Sequence, residues 1–220
     1  ITSYEEGKSV FGEDASGVYG MSTLLKFLFA NGAGAVKAVA VGKDESEEKD
    51  YASAFAALSD EEDVGVMVCD SAAQSVHLLL KTAAEDASAA RRERIAVIGG
   101  SEETVAQMVN RAKAVNSERV VLVGPDIASD DGGTMSAVFA AAAVAAVIAG
   151  NTDPSVPING AELTLFGAAG KRLSDNEIDQ LVRGGVTPIE TVGGVSSPVR
   201  GITTKTSSGG AADTTWRELT

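Results

Sequence analysis

Cysteine and histidine are almost absent from this chain of 220 residues. Cys69 is the only cysteine, so no disulfide bond can form within the chain. His77 is the only histidine, so any pair of a nucleophile and an imidazole base would have to include it. Cys69 lies between a predicted strand and a predicted helix, where reactive thiols often occur, but His77 would lie roughly 10 Å further along that helix. We therefore interpret Cys69 as a buried, inert thiol and His77 as a partly buried helix residue.

Positive charge is also scarce. The chain has 18 Lys and Arg residues against 31 Asp and Glu residues, which gives a formal net charge of −13. This balance argues against nucleic-acid binding, which needs basic patches that displace counterions. We interpret the acidity as that of a solvated surface. The first residues are polar and acidic, unlike a signal peptide, and because they begin with Ile1 rather than Met we expect a trimmed chain.

Proline is missing before Pro125, so nothing in the first half of the chain interrupts regular secondary structure. Apolar runs predict strands at residues 35–41, 64–69, 94–98 and 119–123. Helical spacing predicts helices at residues 22–30, 50–58, 71–90 and 101–115. Ser22 is the predicted cap of the first helix, and Asn31-Gly32 its end. Strands that are apolar on both faces belong in a parallel sheet covered by helices, so we predict an α/β fold with an open, mainly parallel sheet.

One long stretch carries no charge, from residue 132 to residue 152. Within it, residues 134–149 are mostly alanine, the best helix former, with larger apolar residues on every side. A helix that is apolar all round must be buried. The run is shorter and more weakly apolar than the roughly 20 residues of a membrane span. We predict the central helix of the domain and no membrane insertion.

The pattern changes after Asn151, where prolines become frequent. Ser174 and Glu177 have the spacing of a capping box, which predicts a helix. Residues 186–192 and 199–205 are predicted to form an antiparallel pair of strands. Residues 207–213 are predicted to be a flexible linker. We expect an α/β core domain over residues 1–150, a smaller α+β continuation over residues 151–206, and a linker with the start of a truncated element over residues 207–220.

No segment completes a phosphate-binding loop. Gly170-Lys171 is followed by Arg172 instead of Ser or Thr, and Leu165 stands where the first glycine is needed. Gly32-Ala-Gly34 begins like a dinucleotide fingerprint, but Lys37 replaces the last glycine and the motif precedes a predicted strand.

Two candidate ion sites remain at the predicted carboxyl edge of the sheet. Gly99-Gly100-Ser101 precedes a helix whose amides could bind an anion, but Glu102 and Glu103 would repel it. Three aspartates follow the next strand and could hold Mg²⁺: Asp126, Asp130 and Asp131. We interpret the aspartates as a solvated loop. The sequence therefore predicts no catalytic, cofactor-binding or metal-binding residue, no cofactor and no enzyme activity.

The order of several motifs resembles one family, the contractile tail sheath proteins of phages and prophages. The motifs are Thr2-Ser3-Tyr4 with Val10-Phe11-Gly12, residues 21–32 ending in Asn-Gly, and residues 142–152 followed by Asp153-Pro154, Pro157 and Asn159. Further motifs are Leu173-Ser174 with Glu177, Leu181 and Gly184-Gly185-Val186, then residues 201–204, and Thr215-Trp216. Each motif is weak alone, and their order and spacing carry the resemblance.

The resemblance implies a structural subunit that polymerises around a tail tube and contracts to drive the tube through a cell envelope. Expected partners are other sheath subunits in hexameric rings, the tube protein and the baseplate. The expected location is the virion tail, after synthesis in the host cytoplasm. Family members also have further sequence at both ends, whose arms add strands to neighbours. We therefore expect this chain to be a fragment that lacks the C-terminal domain.

Two other interpretations stay open. The sheath subunit could come from a contractile bacteriocin or secretion system instead of a phage. Alternatively, the chain could be an α/β enzyme or sensor that binds a small molecule at the strand carboxyl edge, around Cys69, Gly99 and Asp126.

Overall fold

A five-stranded sheet lies at the centre of the protein. The computed structural model describes residues 1–15, 17–42, 47–129, 132–153, 155–165, 172–215 and 217–218. The strands of this sheet are β1 Val66–Val68, β2 Ile95–Gly99, β3 Val120–Gly124, β6 Thr187–Val192 and β7 Val195–Pro198, in the order β1-β2-β3-β6-β7. Two small pairs lie outside it: β4 Ile127–Ala128 with β5 Thr134–Met135, and β8 Ser207–Ser208 with β9 Ala211–Ala212. The first four strands of the large sheet are parallel and β7 is antiparallel, which confirms the predicted open, mainly parallel sheet.

Helices cover both faces of this sheet. They are α1 Tyr4–Phe11, α2 Met21–Ala30, α3 Glu47–Ala57, α4 Gln74–Ala89, α5 Val105–Val115, α6 Ala137–Gly150 and α7 Asp175–Arg183. Helices α2 and α6 contribute to the core on one face, and α3, α4, α5 and α7 contribute to the core on the other. Strand β3 supplies both cores, because Val121 and Val123 point to the first and Val120 and Leu122 to the second.

Helix α6 is buried on every side, as the uncharged run predicts. Residues 137–146 are all buried, and the helix packs against α2 on one side and against β1, β2 and β3 on the other. Its alanines let these neighbours approach closely. At Gly99 on β2, an added Cβ would lie 2.2 Å from the carbonyl carbon of Ala137. The central helix of the sequence prediction is therefore confirmed.

The N-termini of five helices differ from the sequence prediction. Helix α3 begins three residues earlier than predicted, at Glu47, and α6 begins three residues later, at Ala137. Ser22 does not cap α2, because the Asp14 carboxylate accepts the amides of Gly20, at 3.0 Å, and Thr23, at 2.7 Å. Helices α4 and α5 begin three and four residues later than predicted, at Gln74 and Val105. By contrast, the predicted capping box of α7 is confirmed.

Helix α1 was not predicted. Its N-cap is Ser3, whose hydroxyl accepts the Glu6 amide at 3.2 Å, while the Glu6 carboxylate accepts the Thr2 amide at 2.6 Å. The sequence contains the signal for this helix, a serine followed three residues later by a glutamate.

The position predicted for the second strand of the C-terminal pair, residues 199–205, is wrong. Gly193 and Gly194 have φ values of +61° and +86° and form a two-residue turn, so the antiparallel partner of β6 starts directly after them, at β7. Residues 199–205 instead lie beside the start of β3, where the Thr204 amide donates to the carbonyl of Val120 at 2.8 Å. The Thr204 hydroxyl also donates to the carbonyl of Ser117 at 3.1 Å, and side-chain contacts of this kind compete with ladder pairing.

Two further segments differ from expectation. Residues 35–41 belong to no strand in the structure, although their sequence is that of a buried strand. Residues 207–213 contain the β8–β9 hairpin, with Gly209 and Gly210 at positive φ in its turn. The side-chain oxygen of Asn116 accepts the amides of Thr206 and Ser207, at 2.9 and 3.1 Å, and so fixes the base of this hairpin. The mobility of its tip stays a prediction.

Candidate functional site

The carboxyl edge of the parallel strands is the first place to look for chemistry, because ligands of open α/β sheets bind there. Cys69 lies at the end of β1 and is buried, with its Sγ 3.7 Å from the carbonyl oxygen of Ser71. Burial raises the pKa of this thiol to about 12. The thiol is therefore protonated at neutral pH, and a protonated thiol is a poor nucleophile.

His77 is fully buried, which corrects the expectation of a partly buried residue. Its Nε2 atom lies 2.9 Å from the Ser71 carbonyl oxygen, and its Nδ1 atom lies 3.1 Å from Nη1 of Arg111. A carbonyl only accepts and a guanidinium only donates, so Nε2 carries the proton and Nδ1 accepts from Arg111. Burial, with Arg111 adding to its effect, lowers the pKa of His77 to about 4. The imidazole is therefore neutral at pH 7.

Cys69 and His77 are closer than helical spacing predicted. Both contact the same carbonyl oxygen, that of Ser71, because residues 71–73 lie outside α4 and lead the chain back over the strand end. Although they are close, Cys69 and His77 do not form a catalytic pair. The Nε2 proton of His77 is directed at the carbonyl, and its other nitrogen already accepts from Arg111.

Arg111 extends this contact into a buried polar chain. Its Nε and Nη2 atoms lie 2.9 and 2.8 Å from one oxygen of Glu103, and both side chains are nearly buried. The chain therefore joins α4, α5 and the loop after β2. Sequence reasoning did not find it, because the three residues belong to separate elements and show no common spacing.

At the two candidate ion sites, the described residues contact the protein's own groups. Next to Gly100, the Glu103 carboxylate lies where a Cβ would stand, at 2.1 Å. Helix α5 begins only at Val105 and is capped by Thr104, so no free helix start faces Gly99-Gly100-Ser101. This arrangement disfavours an anion.

Asp126 is a structural cap rather than part of a solvated loop. Its two carboxylate oxygens accept the amides of Ala137, at 2.9 Å, and Glu102, at 2.6 Å. Asp130 and Asp131 lie outside the described residues. Within the described ranges, no group of three or more His, Cys, Asp or Glu residues is placed to hold a metal ion. None of the described helices is long and apolar enough to cross a membrane.

The buried histidine predicts a specific acid sensitivity. The pKa of His77 is 6.5 when unperturbed and about 4 in the folded protein, so the unfolded chain takes up a proton first as pH falls. The stability linked to His77 is complete above pH 6.5 and is lost between pH 6.5 and 4, by about 3 kcal/mol in total.

His77→Gln is the matched control, since its amide also offers a donor and an acceptor but does not titrate. We expect urea unfolding of the wild type to lose more stability than that of the variant between pH 7 and 4, by about 3 kcal/mol. Parallel pH curves for the two proteins would show that His77 is accessible to protons in the folded state.

Comparison with known proteins gives a consistent answer. The model of a family described as phage tail sheath protein, central domain, matches residues 44–204. No curated protein matches the chain.

Solved structures share the fold at low sequence identity. The sheath tail protein of Desulfitobacterium hafniense is 16% identical, with a TM-score of 0.64, over 86% of this chain and 44% of that one. The helical sheath of the anti-feeding prophage in its contracted state is 13% identical, with a TM-score of 0.63, over 100% of this chain and 59% of that one. The PVC sheath complex of an extracellular contractile injection system, also in its contracted state, is 16% identical, with a TM-score of 0.63, over 100% of this chain and 57% of that one. This chain therefore spans about half the length of the chains it resembles.

The family match covers most of the chain, and the fold agrees with it. The chain belongs to the phage tail sheath protein family, and residues 44–204 match its central domain.

Proposed function

We propose that this protein is part of the subunit of a contractile sheath, which polymerises around a tube and shortens to drive that tube through a cell envelope. The observation that carries the proposal is the family match over residues 44–204. The likeness to two sheaths solved in their contracted state supports it. The partners in this proposal are other sheath subunits in hexameric rings, a tube protein and a baseplate. The location is the tail of a phage-like particle, assembled from subunits made in the bacterial cytoplasm.

We further propose that the protein works without catalysis. The Cys69 thiol is buried and protonated, and the His77 imidazole is buried, neutral and bonded at both nitrogens. The Asp126 carboxylate accepts two backbone amides and has a structural role. In this proposal, the work of contraction comes from contacts between subunits that differ between the extended and contracted assemblies.

The arrangement along the chain is also a proposal. Residues 1–150 would form the core of the sheath domain, residues 151–206 its continuation and residues 207–220 the lead into a further element. The large sheet includes strands from both sides of residue 150, which supports a close association of the first two parts. Since this chain spans about half the length of the chains it resembles, we place the contacts that join subunits mainly in the part of such chains that it does not cover.

Assembly tests the proposal directly. We expect residues 1–220 alone to remain monomeric or weakly associated, since a net charge of −13 opposes self-association without specific contacts. A longer chain that adds native flanking sequence at both ends should form rings or tubes, because strand exchange between subunits supplies main-chain hydrogen bonds. Light scattering and electron microscopy of both proteins, at low and at physiological salt, measure the difference.

Two outcomes would contradict this account. Stable hexamers or tubes of residues 1–220 would place the linking contacts within this domain. If a longer chain stays monomeric at every salt concentration, even with tube protein present, the proposed sheath function is wrong.

A further inference from the structure

Residues 35–41 have the sequence of a strand without its hydrogen bonds. The segment consists of valine and alanine except for Lys37, and it contains no helix, turn or bend between residues 35 and 41. Val36 exchanges two backbone hydrogen bonds with Ile1, at 2.8 and 3.0 Å. Within the described part of the chain, the backbone groups of residues 37–41 have no hydrogen-bond partner. Backbone groups beside an apolar core are normally paired, so this segment is unusual.

A cavity borders both this segment and the sheet. The cavity has a volume of about 410 Å³, and its lining includes residues 35–39 and Val41, residues 63–70 with β1, and side chains of α2, α3 and α6. Strand β1 lies at one edge of the sheet, and among the described residues its only partner is β2. The cavity is therefore bordered both by an edge strand and by a segment that has the sequence of a strand.

The order of elements predicts how the two would pair. Residues 35–41, α3 and β1 follow one another as a strand, a helix and a strand, which is the order of a parallel crossover unit. Helix α3 packs against α4 and contributes Tyr51 and Phe55 to the same core as Leu80 of α4. Since α4 joins β1 to β2 on that face, a second right-handed crossover on the same face places residues 35–41 beside β1, on the side away from β2.

We propose that residues 35–41 are a latent edge strand, which closes onto β1 in parallel and makes the sheet six-stranded. Closure fills the cavity and pairs the free backbone groups of both segments. The ion pair of Lys37 with Glu61 already ties the segment to the residues that lead into β1. The open form leaves the β1 edge accessible to another strand, and the closed form protects it.

The existing pair with Ile1 fixes which amides would turn toward β1. Backbone groups of successive residues in a strand point to opposite edges. Both backbone groups of Val36 are already bonded to Ile1, so β1 would pair along the other edge of the segment, which the amides of Lys37, Val39 and Val41 would face. The amides of Ala38 and Ala40 would face the same side as Val36.

Amide exchange measured by NMR tests this alternation. We expect the closed form to outnumber the open form at least tenfold in solution, so that in the wild-type chain the amides of Lys37, Val39 and Val41 exchange at least tenfold more slowly than those of Ala38 and Ala40, relative to their intrinsic rates. Equal, fast exchange across residues 37–41 would overturn the proposal.

A pair of proline variants supplies the matched comparison. Val39→Pro removes an amide that faces β1, and Ala40→Pro removes one that faces away. We expect Val39→Pro to abolish the slow exchange of Lys37 and Val41 and Ala40→Pro to preserve it. Equal effects of the two variants would overturn the proposal. Exchange of the β2 and β3 amides shows whether each variant keeps the fold. If either variant is unfolded, the exchange pattern of residues 37–41 in the wild-type chain alone decides whether the proposal holds.

Discussion

Val144→Asp should cost about 4 kcal/mol or more of the free energy of unfolding. Val144 is fully buried in α6, with α2 on one side and the sheet on the other. The uncharged run around it offers no basic partner, and a buried carboxylate without a partner must be desolvated or protonated. A domain of this size is stable by only about 5–15 kcal/mol in total, so the loss is a large fraction of it.

Ala149→Asp, on the same helix, is the matched control. Ala149 is exposed near the C-terminus of α6, so the new carboxylate stays in water. Its expected costs are the lower helix propensity of aspartate, up to about 0.7 kcal/mol, and the unfavourable interaction with the helix dipole, about 0.3–1 kcal/mol. Urea unfolding followed by circular dichroism compares the two variants. Similar midpoints for Val144→Asp and the wild type would show that α6 is not at the centre of the fold.

Gly99→Ala is expected to destabilise the protein by about 3 kcal/mol, although it adds a single methyl group. The new Cβ would lie 2.2 Å from the carbonyl carbon and 2.3 Å from the carbonyl oxygen of Ala137, and 2.4 Å from the amide nitrogen of Val138. These are backbone atoms of the first turn of α6, so no side chain can move aside to relieve the clash. Strand β2 and helix α6 must separate, which opens the core between them.

The same change at Gly65 controls for the loss of a glycine. An added Cβ at Gly65 meets no atom within 4 Å. We expect Gly65→Ala to change the free energy of unfolding by less than about 1 kcal/mol, of either sign. Thermal unfolding of both variants tests the difference. Equal melting temperatures would show that β2 and α6 are not in close contact at Gly99.

Much of the fold could be predicted from local sequence. The burial of α6 follows from a run without charge, and the start of α7 follows from Ser174 and Glu177, whose contacts form within one turn. Strands β1, β2 and β3 follow from apolar runs that can only be stable between two layers of helices.

The remaining features depend on contacts between distant segments. The chain of His77, Arg111 and Glu103 joins three elements, and no spacing in the sequence relates them. The cap of α2 comes from Asp14, six residues before Gly20, so a search next to the helix start finds Ser22 instead. Residues 35–41 have the composition of a strand, but pairing needs a partner at the right distance, which composition does not determine.

The candidate site shows the same division. Sequence reasoning identified Cys69, Gly99-Gly100 and Asp126 at the strand ends, and the structure places all of them near the carboxyl edge of the sheet. Their states depend on their surroundings. Burial keeps the thiol protonated, the Glu103 carboxylate lies beside Gly100, and backbone amides donate to Asp126.

The burial of α6 has a mechanical consequence. A helix with alanine at most positions has few long side chains that could bend or change rotamer under stress, and close-packed interiors transmit strain with little compression. Pulling α2 away from the sheet would have to separate α6 either from α2 or from the strands, and either separation exposes a buried apolar surface of α6. Under force, the domain should therefore move as a stiff body and yield first at its periphery, in exposed parts such as the β8–β9 hairpin.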